Sequence, residues 1–350
     1  MPFFIFRRME SKEFTQIQEI GFTGLIEKFK KLTGSERTEV LLGIGDDAAV
    51  TKNADGKFIC TSSEIFLEGV HFDVSYTPFH HLGYKIVTAA VSDIYAMNAE
   101  PNQILINIAI PNKYSVELME DLYRGFNTAC KDYNVQITGG DSTASHSILA
   151  ISVTALGFVE EENLVKRSGA KEGDLICVTG DLGAALAGLR ILMREKKYWQ
   201  NSGEENFLPD LSEYQYVVQR QLLPKARTDF IQALNKSSVK PGSMIDVTQG
   251  VINEIQAISK QSDCGATIYS PAIPISFETR NVADEMKEDV DKYAFYGGED
   301  FEMLFTLEEH LVEKLKTEFE DFSVIGKIEP KENHLIINTG EDSTIKIDLH

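Results

Sequence analysis

Residues 82–110, LGYKIVTAAVSDIYAMNAEPNQILINIAI, join two apolar stretches that differ in length and pattern. The first, residues 82–99, predicts a long apolar helix that ends before Pro101, because the residue before a proline is biased away from helical geometry. The second, residues 103–110, predicts a strand. The stretch therefore predicts a helix followed by a strand, and Asp93 is the acidic side chain inside that helix.

The same alternation of helices and strands continues along the chain. We predict strands at FICTSS (58–63) and at VQITGGD (135–141), the second ending in a glycine turn. At 350 residues the chain is too long for one comfortable core, so we expect two domains with a cleft between them. The charged run EEEN (160–163) separates the two halves and places the boundary near residue 160. The expected segments are an appendage or misassigned start (1–8), an N-terminal domain (9–159) and a C-terminal domain (160–350).

Composition and charge exclude several classes of protein. The chain has 54 acidic and 34 basic side chains, a net charge of −20, and no compensating basic run, so sequence-independent binding to nucleic acid is not expected. No apolar run approaches the length that spans a membrane. The four cysteines lack CxxC pairing, which argues against a zinc site and a disulfide framework and favours a reducing cytoplasm.

Acidic side chains interrupt the apolar pattern at several places. For the neighbours Asp46 and Asp47 alone, a turn role is the ordinary explanation, since acidic residues are common in turns. Asp93 is harder to explain, because the positions three and four residues away on its helix hold only alanine and methionine. A carboxylate on an apolar face needs a metal or a distant cation as partner. We expect Asp141 and Asp246 at strand ends, where helix capping is an equal alternative.

Considered as a set, these acids indicate a metal site. Carboxylates at the ends of different elements can meet in one cleft, where their mutual repulsion is relieved if divalent cations bind. Mg²⁺ prefers oxygen ligands and bound phosphates. The chain contains no GxxxxGK[ST] motif, so the pattern indicates ATP chemistry without a P-loop.

The motifs occur in an order that resembles a known family. They are GIGDDAAV (43–50), LEGVHF (67–72), AVSDIYAMNAEP (90–101), ITGGDS (137–142), KRSGAKEGD (166–174), VTGDLGAA (178–185), IDVTQG (245–250) and GGEDFEMLF (297–305). Together they resemble the thiamine-monophosphate kinases, in the superfamily of aminoimidazole ribonucleotide synthetase. The resemblance implies an N-terminal α+β domain that binds nucleotide and metal and contributes to a dimeric β-barrel. It also implies a C-terminal α/β domain that closes the active-site cleft.

The resemblance also implies a reaction and its residues. ATP would phosphorylate thiamine monophosphate to thiamine diphosphate by direct, Mg²⁺-assisted transfer in a homodimer, with no covalent protein nucleophile. Asp46 would support the turn. The implied metal positions are Asp47, Ser62, Ser63, Glu64, Asp93, Asp141, Asp246 and Gln249. The implied nucleotide contacts are Tyr123, Gly140, Asp141, Arg167 and Thr248, and the implied substrate contacts are His71 and Glu299.

Two of these residues and one further motif have ordinary alternatives. Tyr123 could equally be a helix-packing residue. His71 alone would be read as a surface residue, and its LEGVHF context favours the substrate role. GDLGAALAGL (180–189) could begin a phosphate-binding helix, but an ordinary strand-to-helix turn is favoured.

The chain departs from the family pattern at three places. Glu64 stands where the family usually has aspartate, and Gln249 replaces the second aspartate of DxSDG. The chain ends in STIKIDLH, without the GW-containing tail whose aromatic lies against thiamine in the family. Three hypotheses follow: a thiamine-monophosphate kinase, which we favour; a diverged nucleotide-binding paralogue with weak or no transfer; and a superfamily enzyme with another substrate.

Overall fold

The structure, a computed structural model, describes residues 15–33, 37–53, 55–203, 207–340 and 343–347. The expected appendage, residues 1–8, lies outside these ranges. Two compact units divide the chain, residues 1–40 and residues 41–350. In the first unit, helix α1 (Ile17–Leu32) is interrupted at Gly21, where φ is 64°, and it has no buried side chain.

Residues 40–159 contain a six-stranded sheet. Its strands are β1 (Val40–Leu42), β2 (Ala49–Lys52), β3 (Phe58–Leu67), β4 (Glu100–Pro111), β5 (Gln136–Ser145) and β6 (Ala150–Val159). Their spatial order is β1-β2-β3-β6-β4-β5. Strands β4 and β5 pair in parallel, whereas β6 pairs antiparallel with both β3 and β4.

Two helices, α2 (Phe79–Ala96) and α3 (Val116–Asp132), accompany this sheet. Helix α2 is the predicted apolar helix, and sixteen of its residues are buried. The two helices approach each other at glycines, because a Cβ atom on Gly83 would lie 2.2 Å from the Leu122 carbonyl oxygen. This close contact fixes α2 in the core, and with it the side chains that α2 presents.

The predicted glycine turn at the end of VQITGGD is wrong. Strand β5 continues through Ser145, and Gly140 pairs with Ile106 of β4. Gly140 has φ of 145°, and a Cβ there would lie 1.7 Å from the Ile106 carbonyl oxygen. The glycine therefore permits a close approach of two strands rather than a turn. Asp141 consequently lies within a strand and not at its end.

The second sheet has seven strands. They are β7 (Leu175–Thr179), β8 (Ser243–Asp246), β9 (Gly265–Tyr269), β10 (Met303–Leu307), β11 (Phe322–Glu329), β12 (Leu335–Gly340) and β13 (Ser343–Ile347). Their spatial order is β13-β12-β9-β11-β7-β10-β8. Helices and strands alternate as predicted, but the strand pairings are antiparallel apart from that of β9 with β12.

Seven helices accompany the second sheet within the described residues. They are α4 (Ala184–Ser202), α5 (Gln215–Leu222), α6 (Thr228–Ser237), α7 (Val251–Ser262), α8 (Phe277–Met286), α9 (Val290–Tyr296) and α10 (Val312–Lys316). One apolar cluster joins α2 to this half of the unit, through side chains such as Phe230 and Phe305. Helix α2 thus lies beside both sheets. Across the described ranges, none of the helices has the length and apolarity that crossing a bilayer requires.

Candidate active site

Three carboxylates from distant parts of the sequence meet beside α2. Asp47 precedes β2, Asp93 lies on α2 and Asp246 ends β8. Each offers an oxygen atom that lies within 4.8 Å of the others. We call these three residues the acidic cluster. All three are buried, with exposures of 7%, 8% and 2%. The structure therefore brings together three of the predicted metal positions.

Two serine hydroxyls orient these carboxylates. Ser92 Oγ donates to Asp246 Oδ2 over 2.5 Å, and Ser62 Oγ donates to Asp93 Oδ2. Ser92 precedes Asp93 on α2, so one helix supplies a carboxylate and also fixes the carboxylate at the end of β8. These contacts are specific, since a hydroxyl donor favours an ionised acceptor in a defined position.

Arg167 is the cation in hydrogen-bond contact with the acidic cluster among the described residues. Its Nε and Nη2 atoms donate to Asp47 Oδ1 over 3.1 and 2.5 Å. Asp46 has a different role, because it accepts the backbone N–H groups of Asp47 and Arg167 over 3.0 and 3.2 Å. Asp47 Oδ2 is buried and has no hydrogen-bond partner in the described part of the chain. One oxygen of Asp47 is thus paired, and the other is unpaired within the described residues.

Burial and mutual repulsion shift the titration of the acidic cluster. Burial raises the pKa of Asp47 to about 7, against the opposing effect of Arg167, and burial raises that of Asp246 to about 7 as well. Burial, with repulsion from Asp246, raises the pKa of Asp93 well above its usual value. The side chains present therefore do not neutralise one another. An oxygen-binding divalent cation would relieve this repulsion, and the orphaned Asp47 oxygen fits such an ion.

The three predicted metal positions on β3 lie on two different faces of the sheet. Ser62 and Glu64 lie two residues apart and share a face. Burial raises the pKa of Glu64, whose carboxyl group contacts Asp93. Ser63 points to the opposite, exposed face, where its hydroxyl lies 3.0 Å from that of Thr154. The Ser62 and Glu64 side chains thus face the acidic cluster, and the Ser63 side chain does not.

Glu254, on α7, is a buried carboxylate that the sequence analysis missed. Its Oε1 accepts the backbone N–H groups of Thr248 and Gln249 over 3.2 and 2.8 Å. Burial raises its pKa to about 7, and repulsion from Asp47 adds to the increase. Gln249 itself is exposed. An acidic residue in the first turn of a helix, just after a glycine turn, was the available signal, but it is also typical of ordinary helices.

Asp141 is not one of the carboxylates of the acidic cluster, and Gly140 and Tyr123 lie on β5 and α3. On β5, the Asp141 side chain is exposed and accepts a hydrogen bond from the Ser142 N–H over 2.8 Å. Tyr123 is 37% exposed on α3 and packs edge-on against Phe126, with ring centroids 5.2 Å apart. Nucleotide binding by Gly140, Asp141 and Tyr123 remains a prediction.

The two predicted substrate residues line one pocket of about 730 Å³. His71 reaches it from the turn after β3, and its Nδ1 accepts the Leu67 N–H over 3.0 Å. Glu299 reaches it from the segment before β10, and Lys85 of α2 lies 2.7 Å from its Oε2. We call this the His71 pocket. Lys85 and Asp93 are eight residues apart on α2, about 12 Å along the helix axis. Helix α2 therefore contributes a side chain to the pocket and another to the acidic cluster.

The phosphate-binding interpretation of GDLGAALAGL is not needed. The Asp300 carboxylate binds the first turn of α4, where it accepts the N–H groups of Gly183 and Ala185 over 2.8 and 3.2 Å. A carboxylate is a favourable partner for the N-terminus of a helix. The favoured alternative, an ordinary strand-to-helix turn, describes this segment.

Comparisons with known proteins agree with this fold. Two family models match this chain. The model of the AIR synthase related protein, N-terminal domain, matches residues 45–159, and that of the C-terminal domain matches residues 171–337. The thiamine-monophosphate kinase of Aquifex aeolicus is 32% identical over 317 residues, covering 91% of this chain and 94% of that protein. That of Bacillus subtilis is 30% identical over 315 residues, covering 88% and 92%.

A solved structure gives the same result. AaThiL complexed with AMPPCP and TMP matches with a TM-score of 0.79 and 28% identity, covering 95% of this chain and 99% of that chain. The chain therefore belongs to the AIR synthase related proteins and, among them, to the thiamine-monophosphate kinase family. The predicted family and the predicted two-part α and β fold are confirmed.

Proposed function

We propose that this chain transfers the γ-phosphoryl group of ATP to the phosphate of thiamine monophosphate, giving thiamine diphosphate and ADP. A phosphate oxygen of thiamine monophosphate would form the new bond to the γ-phosphorus while the bond to the ADP oxygen breaks. This transfer needs alignment and charge neutralisation more than a protein nucleophile. The observation that carries the proposal is the convergence of Asp47, Asp93 and Asp246 in a chain that resembles AaThiL with its two ligands.

Mg²⁺ is the cofactor that fits the oxygen donors of the acidic cluster, and it would neutralise phosphate charge. The three carboxylates would hold it, with the Ser92 and Ser62 hydroxyls fixing two of them. Ser63, Glu64, Asp141 and Gln249 remain candidate metal positions. Arg167 would exchange part of its contact with Asp47 for a nucleotide phosphate, because a guanidinium binds either anion through paired N–H donors.

The His71 pocket would receive thiamine monophosphate, with His71 and Glu299 in contact with it. Its walls come from the turn after β3 and from α2, α4 and α5, so both halves of the unit contribute. Thr248 belongs to the turn that accepts the Glu299 N–H over 3.1 Å. A nucleotide held at Thr248 and an acceptor held at Glu299 would therefore lie on two segments that this backbone hydrogen bond joins.

The proposal also covers the roles of the two domains, the oligomeric state and the cellular location. Residues 9–159 would bind metal and nucleotide and form the dimer, and residues 160–350 would close the cleft. The sheet face opposite Cys60 and Phe66 exposes Ser63 and Ile65, and a second copy of this chain would cover it. Sedimentation should show a dimer that Ile65→Glu dissociates, and a monomeric parent would contradict this.

The cytoplasm is the proposed compartment, in keeping with four free cysteines.

The second candidate is a nucleotide-binding paralogue without efficient transfer. The observation that favours it is Gln249, an exposed neutral amide at a metal position of the family. The discriminating experiment measures ADP and thiamine diphosphate from Mg-ATP and thiamine monophosphate. Parent and the double variant Gln249→Asp/Glu64→Asp are compared. Turnover by the parent supports the kinase, whereas turnover by the double variant alone supports the paralogue. ADP formed only with another acceptor would indicate a different substrate.

A further inference from the structure

Lys85 is a buried cation that none of the assigned roles includes. It lies in the middle of an apolar helix, and its side chain is 5% exposed. Its Nζ donates to Glu299 Oε2 over 2.7 Å and to the Gln221 backbone carbonyl oxygen over 3.0 Å. Burying a lysine is unfavourable, and an apolar side chain of similar length would serve stability as well. The contact with Glu299 therefore calls for a role beyond packing.

The backbone around Glu299 is already fixed without Lys85. Glu299 has φ of 66°, a conformation that non-glycine residues seldom adopt. Its N–H donates to the Thr248 carbonyl oxygen over 3.1 Å. The next residue, Asp300, is anchored at the first turn of α4. What the backbone does not fix is the direction of the Glu299 carboxylate, which rotates about three side-chain bonds.

Lys85 fixes that direction by holding one carboxylate oxygen. The Glu299 side chain is 28% exposed and lines the His71 pocket. Its second oxygen, Oε1, accepts no hydrogen bond from any residue that the structure describes. A carboxylate held through one oxygen presents the other in a constant position. That position suits an N–H donor or a cationic group of a ligand in the pocket.

We propose that Lys85 is a positioning residue that holds Glu299 Oε2 so that Oε1 is presented to the cationic or N–H-bearing part of the phosphate acceptor. This inference rests on the proposed function, because it deepens the role of the same pocket. It predicts that Lys85 affects recognition of the acceptor and leaves binding of ATP unchanged. A lysine with a purely structural role would affect both substrates alike.

The test is steady-state kinetics of Lys85→Met with thiamine monophosphate and Mg-ATP varied separately. We expect KM for thiamine monophosphate to rise about 10- to 100-fold, the range that a misplaced charge-assisted contact produces. The kcat value and KM for ATP should stay within about threefold. The matched control is Lys236→Met, which removes another lysine from an ion pair, that with Glu318, and should leave both KM values unchanged.

A double-mutant cycle with Glu299→Gln separates the positioning role from a structural one. If Lys85 acts through Glu299, adding Lys85→Met to Glu299→Gln changes KM for thiamine monophosphate by less than about twofold. An equal increase in both backgrounds, or no increase in the parent, overturns the inference. If Lys85→Met does not fold, Lys85→Arg takes its place in the cycle, because it retains the charge but changes the geometry. It should raise KM for thiamine monophosphate in the parent and not in Glu299→Gln.

The activity of the parent enzyme distinguishes a failure of this inference from a failure of the proposed function. A parent that forms no thiamine diphosphate contradicts the function itself. A parent that turns over, with KM for thiamine monophosphate unaffected by Lys85→Met, contradicts the role of Lys85 alone.

Discussion

The acidic cluster and a second group of buried carboxylates around Glu302 differ in how their charge is compensated. Glu302 accepts hydrogen bonds from Arg220 over 2.8 Å and from Arg227 over 3.1 Å. The Thr179 hydroxyl donates to it over 2.6 Å. Nearby, Asp300 binds the first turn of α4. We call these residues, with both arginines, the Glu302 network. Here each carboxylate has partners within the chain.

The acidic cluster is built in the opposite way. Within the described residues, Arg167 is the guanidinium that contacts this cluster, and it binds Asp47 but neither Asp93 nor Asp246. Glu64 and Glu254 add further negative charge nearby. Both groups are buried, so burial alone does not indicate function. The difference is the balance of charge. A carboxylate group that the chain leaves uncompensated is suited to bind a cation from outside, whereas a compensated one stabilises the fold.

The largest expected effect is on stability in the Glu302 network. Glu302→Gln removes the buried carboxylate that Arg220 and Arg227 share, and breaking such a buried pair costs about 3–5 kcal/mol. Arg220 keeps its pairing with Asp300, and Arg227 keeps those with Asp229 and Asp321. Urea unfolding of parent and variant would measure this loss. The control is Glu313→Gln, at a glutamate whose side chain is 86% exposed, which should change stability little. A loss below about 1 kcal/mol at Glu302 would remove the contrast between the two regions.

The second expected effect is in the acidic cluster, where a neutral substitution should weaken ligand binding without lowering stability. Asp93→Asn should weaken binding of Mg-ATP and lower turnover about 100-fold, a loss in the upper range for ligands and their close partners in metal sites. Without metal, its stability should equal or exceed that of the parent, because the substitution removes repulsion. Calorimetry and urea unfolding test the two halves. Unchanged affinity for Mg-ATP would contradict the ligand role.

The third effect is the pH dependence of the acidic cluster. Burial raises the pKa of Asp47 and Asp246 from 3.8 to about 7, so the metal-free folded chain holds protons that the unfolded chain has released. Their contribution to stability is present at low pH and is lost as pH rises from about 4 to about 7. Mg²⁺ competes with these protons, so its affinity should increase from pH 6 to pH 8.

Calorimetry in two buffers with different ionisation heats counts the protons that Mg²⁺ displaces. We expect release at pH 6.5 and almost none at pH 8.5. Equal heats in both buffers at pH 6.5 would mean that the cluster is already ionised.

The smallest effect concerns Ser92. Ser92→Ala removes the hydroxyl that orients Asp246, which should cost about 1 kcal/mol of stability. It should also weaken Mg-ATP binding a few-fold. Ser237→Ala is the matched control, because that hydroxyl donates only within its own helix, to Ala233 over 2.7 Å and to Leu234. The two variants should unfold alike and differ in Mg-ATP affinity. If both variants bind Mg-ATP with the same affinity, the role of Ser92 is structural only.

Sequence reasoning was strongest where a local pattern conflicted with an ordinary role. Asp93 has no cation three or four residues away on its helix, and the structure places it beside two other carboxylates. His71 and Glu299 were paired by resemblance, and both line one pocket. It was weakest at glycines, since the Gly139 and Gly140 pair that predicted a turn lies within β5. A glycine pair has the same signature in a turn and at a close approach between strands.

The sequence by itself determined which segments form helices and strands, the family, and the carboxylates available to a metal, because periodicity and uncompensated charge are local properties. Only the tertiary structure decided which of those carboxylates meet. The contact of Arg167 with Asp47 joins residues 120 positions apart, and that of Lys85 with Glu299 joins residues 214 positions apart. The fold also buries Glu254 where Asp47 repels it. Such contacts depend on sheet order and on the packing of α2 between the two halves, which no local pattern encodes.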